Sequence, residues 1–82
     1  MARPTEEEIQ EEAKRARRLQ FLVSLVTSVI SQSCDMPVEE ASELVAGTKR
    51  AALALFPDKE FAYDILYRPR LQRLLQEKYH FQ

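Results

Sequence analysis

Few residues in this chain have side chains suited to catalysis. It contains one cysteine, Cys34, and one histidine, His80. A helix start lowers the pKa of a nearby thiol, but the adjacent Asp35 opposes that effect, so we expect Cys34 to be a small, partly buried side chain and not a nucleophile. His80 lies two residues from the end of the sequence, where a frayed backbone would not hold a general base in place. We therefore predict that the protein is not an enzyme.

The same scarcity argues against a bound metal or cofactor. A structural zinc ion needs four ligands, which one cysteine and one histidine do not provide. The single glycine, Gly47, is incompatible with a glycine-rich loop of the kind that holds phosphate groups. Paired carboxylates such as Glu39 and Glu43 stand near a predicted helix start, a pattern that compensates the helix dipole. The sequence therefore predicts no metal site and no cofactor.

Basic side chains form two sets whose chemistry suits anion binding. The first and denser set consists of Lys14, Arg15, Arg17 and Arg18. The second set consists of Arg68, Arg70 and Arg73. Aromatic residues accompany the second set: Phe56, Phe61, Tyr63, Tyr67, Tyr79 and Phe81. Guanidinium groups pair with phosphate oxygens and aromatic rings stack on exposed bases, so the two sets together would suit a nucleic acid. The alternative is that both sets are solvated helical faces and that several of the aromatic rings fill the core.

Overall charge does not favour a generally basic nucleic-acid binder. The chain has 12 Lys and Arg against 13 Asp and Glu, which gives a net charge of −1. This balance hides segregation, because an acidic block at 1–12 precedes a basic block at 13–20, and a second acidic block lies at 35–43. An argument from net charge therefore fails, whereas an argument from local patches stays open.

An apolar run at 19–30 follows the first basic set and shares some features with a signal peptide. Five glutamates precede the basic residues, however, and they do not fit the charged region of such a peptide. The run is also much shorter than the ~20 residues that span a bilayer. We expect no integral membrane segment and a cytoplasmic protein, since a single cysteine is typical of a reducing compartment.

The spacing of apolar residues is helical throughout and predicts an all-α fold. Thr5 and Glu8 form a capping-box signature that starts the first helix. Pro69 removes a backbone donor, so the third helix should kink or break there. We expect one domain, 1–82, in which a small three-helix bundle has a long first helix. The expected segments are about 6–32, 36–56 and 58–67, the last continuing after the kink as 70–79.

The first helix is too long for a compact domain of this size. About 27 residues at 1.5 Å each span roughly 40 Å, whereas 82 residues pack into a diameter of about 30 Å. The apolar run at 19–30 is typical of a helix covered on several sides, while the first half carries only a thin strip, Ile9, Ala13 and Ala16. We infer that this half projects from the core or packs on another chain.

The second helix carries an apolar seam at heptad spacing: Val38, Ala41, Val45, Thr48, Ala52 and Leu55. Small residues lie on the other side of this helix: Gly47, Ala51 and Ala54. Glycine inside a helix costs about 1 kcal/mol relative to alanine, which suggests that Gly47 serves a close packing contact. A neighbouring helix of the same chain or of a second subunit would satisfy that need.

We therefore predict a non-catalytic helical protein–protein interaction module, forming a homodimer or binding another helical protein. The candidate interface consists of the strip on the first helix and the small-residue face on the second: Ile9, Ala13, Ala16, Gly47, Ala51 and Ala54. The alternative is a small nucleic-acid-binding regulator that uses both basic sets, and a weaker third hypothesis is attachment to a membrane surface through the first helix.

Overall fold

The computed structural model describes residues 3–80, and over that range the chain is all-helical without a strand. The helices are α1 (Glu6–Gln32), α2 (Val38–Leu55), α3 (Glu60–Leu66) and α4 (Arg68–Tyr79). The prediction of an all-α fold is confirmed. Phe81, one of the aromatic residues noted above, lies outside the described residues.

The prediction of three helices is wrong, because residues 3–80 form four helices. The third helix was expected to kink or break at Pro69, and the structure has two separate helices there with no kinked continuation of one. A single residue, Tyr67, separates α3 from α4. Pro69 has no N–H to donate to the carbonyl of Ile65, and its ring crowds that carbonyl. Helical bonding therefore stops before the proline, and Pro69 lies in the first turn of α4, where its missing donor is not needed.

The N-terminus of α1 has the cap that its sequence predicts. The Thr5 side chain accepts a hydrogen bond from the backbone N–H of Glu8 at 3.1 Å. Three glutamates occupy the first turn, where the positive end of the helix dipole favours them. Local interactions of this kind hold the start of α1, because no residue of the helix before Leu19 is buried.

Two hydrophobic clusters form the core, and α1 contributes to both. The first cluster consists of Leu19, Val23, Ala52, Tyr63 and Leu71. The second cluster consists of Val26, Ile30, Ala41 and Leu75. The predicted seam of α2 faces these clusters, since Ala41, Thr48 and Ala52 are buried. The hydroxyl of Thr48 donates to the carbonyl of Leu44 at 2.8 Å, which satisfies the one polar side chain in the seam.

The end of α4 fixes the loop between α1 and α2. Lys78 Nζ donates to the carbonyl oxygen of Ser33 at 2.5 Å, and Tyr79 Oη donates to that of Met36 at 2.8 Å. These bonds satisfy backbone acceptors that follow the end of α1. The loop that carries Cys34 and Asp35 therefore has a defined position beside the second cluster.

The molecule is elongated along α1. Its extents are 49 × 21 × 15 Å and its radius of gyration is 15.0 Å, whereas a compact chain of this length would have about 12 Å. With 27 residues, α1 is about 40 Å long. Its first half extends beyond the two clusters, in agreement with the length mismatch deduced from the sequence.

Candidate interaction surfaces

Three exposed apolar side chains in the second half of α1 lie along one side of the helix, here called the outer stripe: Phe21, Leu25 and Val29. These residues are 68%, 48% and 40% exposed, respectively. They follow one another at intervals of four residues and so lie on one side of the helix. The apolar run at 19–30 was expected to be covered on several sides, yet the described chain leaves this side open.

The outer stripe adjoins the small-residue face of α2. Leu22 and Leu44, one from each helix, are half-buried and pack against the second cluster. Leu25 follows Leu22 by three residues, and Gly47 follows Leu44 by three residues, so each lies just beyond its leucine on the same side of its helix. Leu25 and Gly47 therefore each lie next to a leucine that packs against the second cluster, on two helices in contact.

Gly47 has no neighbouring helix within the described chain. A Cβ atom placed on it would meet only Arg50 Nη2, at 3.6 Å, which is an ordinary van der Waals distance. The same Arg50 atom lies 2.7 Å from Glu43 Oε1, so this ion pair bridges two turns of α2 close to the glycine. Ala51 is half-buried and Ala54 is exposed. The close contact expected at Gly47 is thus not an internal one within residues 3–80.

The predicted strip on the first half of α1, which is Ile9, Ala13 and Ala16, ends at a groove between helices. Ile9 is 54% exposed, while Ala13 and Ala16 are half-buried. Ala16 lines an apolar groove of about 190 Å³ together with side chains of α2 and α3, including Phe56 and Leu66. Twelve residues separate Ala13 from Leu25, which is about 120° around the helix. This strip and the outer stripe therefore face different directions.

The sequence misplaces the inward side of α3. The pattern Phe61, Ala62, Ile65 and Leu66 reads as a buried stripe, but Phe61 is 80%, Ile65 58% and Leu66 59% exposed. Tyr63 is buried instead, with its ring centroid 5.6 Å from that of Tyr67. The tyrosine packs into the first cluster, so residues two positions before and after it point away from the core.

The first basic set does not form one patch. Arg15 is half-buried, and its guanidinium carbon lies 5.6 Å from the centre of the Phe56 ring, as in a cation–π contact. Lys14 Nζ pairs with Glu11 Oε1 at 3.8 Å. The remaining members, Arg17 and Arg18, are exposed and make no ion pair within residues 3–80.

The second basic set is also divided. Arg68, Arg70 and Arg73 are all exposed on α4. At about 100° per residue, Arg70 and Arg73 share one side of the helix and Arg68 lies on another. Arg68 lines a cavity of about 250 Å³ with Lys49 and other residues. The convergence of the two basic sets on one face, which nucleic-acid binding would require, stays a prediction.

A charged cluster that the sequence did not indicate lies between α2 and α3. Lys49 Nζ is 3.0 Å from Asp64 Oδ1 and 3.4 Å from Glu60 Oε1. The contact with Asp64, followed by that with Glu60, raises the pKa of Lys49 above its ordinary 10.5. Burial raises the pKa of the neighbouring Tyr63 above 10.0, and its hydroxyl has no hydrogen-bond partner in the described chain. Helical spacing alone does not show which residues of α3 face Lys49.

The residues with chemical reactivity are at the surface. Cys34 is exposed, which corrects the expectation that it is partly buried. The loop runs outward after Ser33, whose backbone is fixed by Lys78.

Within residues 3–80, no group of three His, Cys, Asp or Glu side chains is arranged to hold a metal ion, and none of the described helices is long and apolar enough to cross a membrane.

Comparison with known proteins gives no relative. No protein-family model, no curated protein and no solved structure matches the chain. A functional proposal must therefore come from the surfaces described above.

Proposed function

We propose that this protein is a non-catalytic helical interaction module that forms a homodimer through the outer stripe. The observation that carries the proposal is the exposure of Phe21, Leu25 and Val29 at helical spacing. Burying a large apolar side chain yields about 1.5–3 kcal/mol, so covering three of them provides a substantial driving force for association. Contiguous apolar patches rimmed by polar residues are typical of protein–protein contacts.

The surface beside the stripe suits a second helix. Gly47 and Ala51 present little or no side chain there, and the separation of packed helices depends on the size of the side chains between them. A partner helix that covers Leu25 can therefore approach α2 as well. The strip at Ile9, Ala13 and Ala16 faces another direction and stays a separate candidate interface for a different partner.

A cytoplasmic location is part of this proposal. Cys34 is an exposed, free thiol. In an oxidising compartment such a thiol would form intermolecular disulfides, whereas a reducing compartment keeps it in the free state.

Sedimentation equilibrium at micromolar concentration tests the proposal. The wild type should have twice the monomer mass of 9.6 kDa, and Leu25→Glu should sediment as a monomer, because a carboxylate in the apolar contact would lose its hydration. Gln20→Glu is the matched control, since it also adds one negative charge to an exposed position of α1, on another side of the helix. A monomeric wild type, or equal loss of dimer in both variants, would contradict the proposal.

A further inference from the structure

The outer stripe has a free positive charge at one end. Arg18 precedes Leu25 by seven residues, or two helical turns, and so lies on the same side of α1 about 10 Å away along the axis. Arg18 is exposed and makes no ion pair within residues 3–80. Lys14, one turn further on, is already paired with Glu11.

Beyond the other end of α1 lies an open hollow with acidic side chains. This hollow has a volume of about 390 Å³ and is lined by Ser33, Cys34, Asp35, Met36 and Glu40. Asp35 and Glu40 are exposed and make no ion pair in the described chain. Glu40 precedes Leu44 by four residues, which places it on the side of α2 that adjoins the stripe. The hollow begins just after Gln32, about 10 Å beyond Leu25.

This arrangement is self-complementary under a two-fold rotation. A two-fold axis that passes between the two copies beside Leu25, perpendicular to α1, exchanges the two ends of the stripe, so each positive end meets the negative end of the other copy. Along α1, Arg18 and the start of the hollow lie about equally far from Leu25, which such an exchange requires. A parallel pairing would instead place Arg18 against Arg18 and the two hollows against each other, and like charges in contact oppose association.

We infer that two copies of the chain pair antiparallel across their outer stripes, with Leu25 at the two-fold axis and Arg18 of each copy in the acidic hollow of the other. The inference rests on the proposed homodimer and adds its orientation and its charged contacts. Arg18 then approaches Asp35 and Glu40 of the second copy, and each dimer contains two such contacts.

Charge reversal tests the paired contact. Arg18→Glu and Glu40→Arg should each raise the dissociation constant about tenfold or more, because each places like charges together twice in the dimer. The double variant Arg18→Glu/Glu40→Arg should bind more tightly than either single variant, since opposite charges again meet at positions 18 and 40, but more weakly than the wild type, since Asp35 keeps its negative charge. In a parallel dimer these residues do not meet, so the single variants would bind no more weakly than the wild type.

Each single variant has a matched control. Arg73→Glu, on α4, and Glu39→Arg, about 100° around α2 from Glu40, make the same changes of charge at exposed positions outside the proposed contact. Both should leave the dissociation constant within about twofold of the wild-type value, as for other exposed charges. Circular dichroism of all variants establishes that the helices are intact.

Cysteine cross-linking tests the orientation directly. In a Cys34→Ser background, a mixture of the Phe21→Cys and Val29→Cys variants should give a mixed disulfide dimer, identified by its mass. The Phe21→Cys variant alone should give little cross-linked product, because the two copies of residue 21 lie far apart in the antiparallel pair. Efficient linkage of Phe21→Cys to itself would overturn the inference.

The outcomes separate the inference from the proposal on which it rests. In one outcome the wild type is a dimer and Leu25→Glu is a monomer, but Arg18→Glu and Glu40→Arg weaken the dimer no more than their controls do. The antiparallel contact is then wrong, and the proposed homodimer stands. A wild type that is monomeric throughout overturns both. Weakening by each single charge reversal and partial recovery in the double variant support both.

Discussion

Tyr63 brings a hydroxyl group into the core without a hydrogen-bond partner in the described chain. Burial disfavours the phenolate, which is why the pKa of Tyr63 is raised. Lys49, beside it, is held in its charged form by Asp64 and Glu60, and its pKa is raised as well. Both residues are therefore more strongly protonated in the folded state than in the unfolded state.

This linkage predicts a loss of stability in alkali. A group whose pKa is raised by folding contributes its full stabilisation below the unfolded pKa and loses it as the pH rises through the folded value. The free energy of unfolding should therefore fall above about pH 10, the ordinary pKa of tyrosine, and should be flat just below it. In Tyr63→Phe the fall should be smaller, because the contribution of Tyr63 is lost and that of Lys49 remains. Urea denaturation between about pH 8 and 11 measures this profile.

At neutral pH, Tyr63→Phe should leave the free energy of unfolding unchanged or raise it by about 1 kcal/mol, since it removes an unpaired buried hydroxyl. A strong destabilisation by Tyr63→Phe at neutral pH would mean that the hydroxyl has a partner. An alkaline fall in Tyr63→Phe as large as that of the wild type would exclude Tyr63 as its source.

At the scale of elements, α1 combines a packed second half with a first half held by local interactions. The cap at Thr5 and the glutamates of the first turn stabilise residues that contribute nothing to either hydrophobic cluster. Helices with few tertiary contacts depend on such local terms. The stability of the first half should therefore be separable from that of the core.

Thr5→Ala should fray the start of α1 without unfolding the domain. Loss of an N-cap costs a helix about 1 kcal/mol, and here the cost should be confined to the projecting half. Amide hydrogen exchange should become faster for the first turns of α1 and stay unchanged at Val26 and Ile30. Thr5→Ser, which keeps the hydroxyl, is the control. Faster exchange throughout the core in Thr5→Ala would show that the two halves unfold together.

The elements also show what the sequence can and cannot predict. The all-α class and the cap at Thr5 follow from local spacing and chemistry, which act within a few residues. The inward side of α3 does not, because a helix of seven residues offers two turns, and contacts of Tyr63 and Asp64 with other elements decide its rotation. The outer stripe was hidden for a related reason: α1 is apolar over most of its circumference at 19–30, so its pattern does not tell the covered apolar sides from the open one.

At the scale of the whole molecule, dimerisation and folding should be coupled. A partner that binds only the folded chain stabilises it by mass action. The melting temperature of the wild type should therefore rise with protein concentration, whereas that of Leu25→Glu should not. Differential scanning calorimetry over a hundredfold range of concentration gives the comparison, with Gln20→Glu as the control. A concentration-independent melting temperature for the wild type would argue against the homodimer.

The bonds from the last turn of α4 to the loop between α1 and α2 join segments that the ribosome makes at different times. Tyr79 holds the carbonyl of Met36 across 43 residues, and Leu75 completes the second cluster around Ile30. At 5–20 residues per second, a ribosome needs roughly 2–9 s to make that intervening stretch. The second cluster therefore stays incomplete until α4 has been made, because Leu75 is one of its buried members.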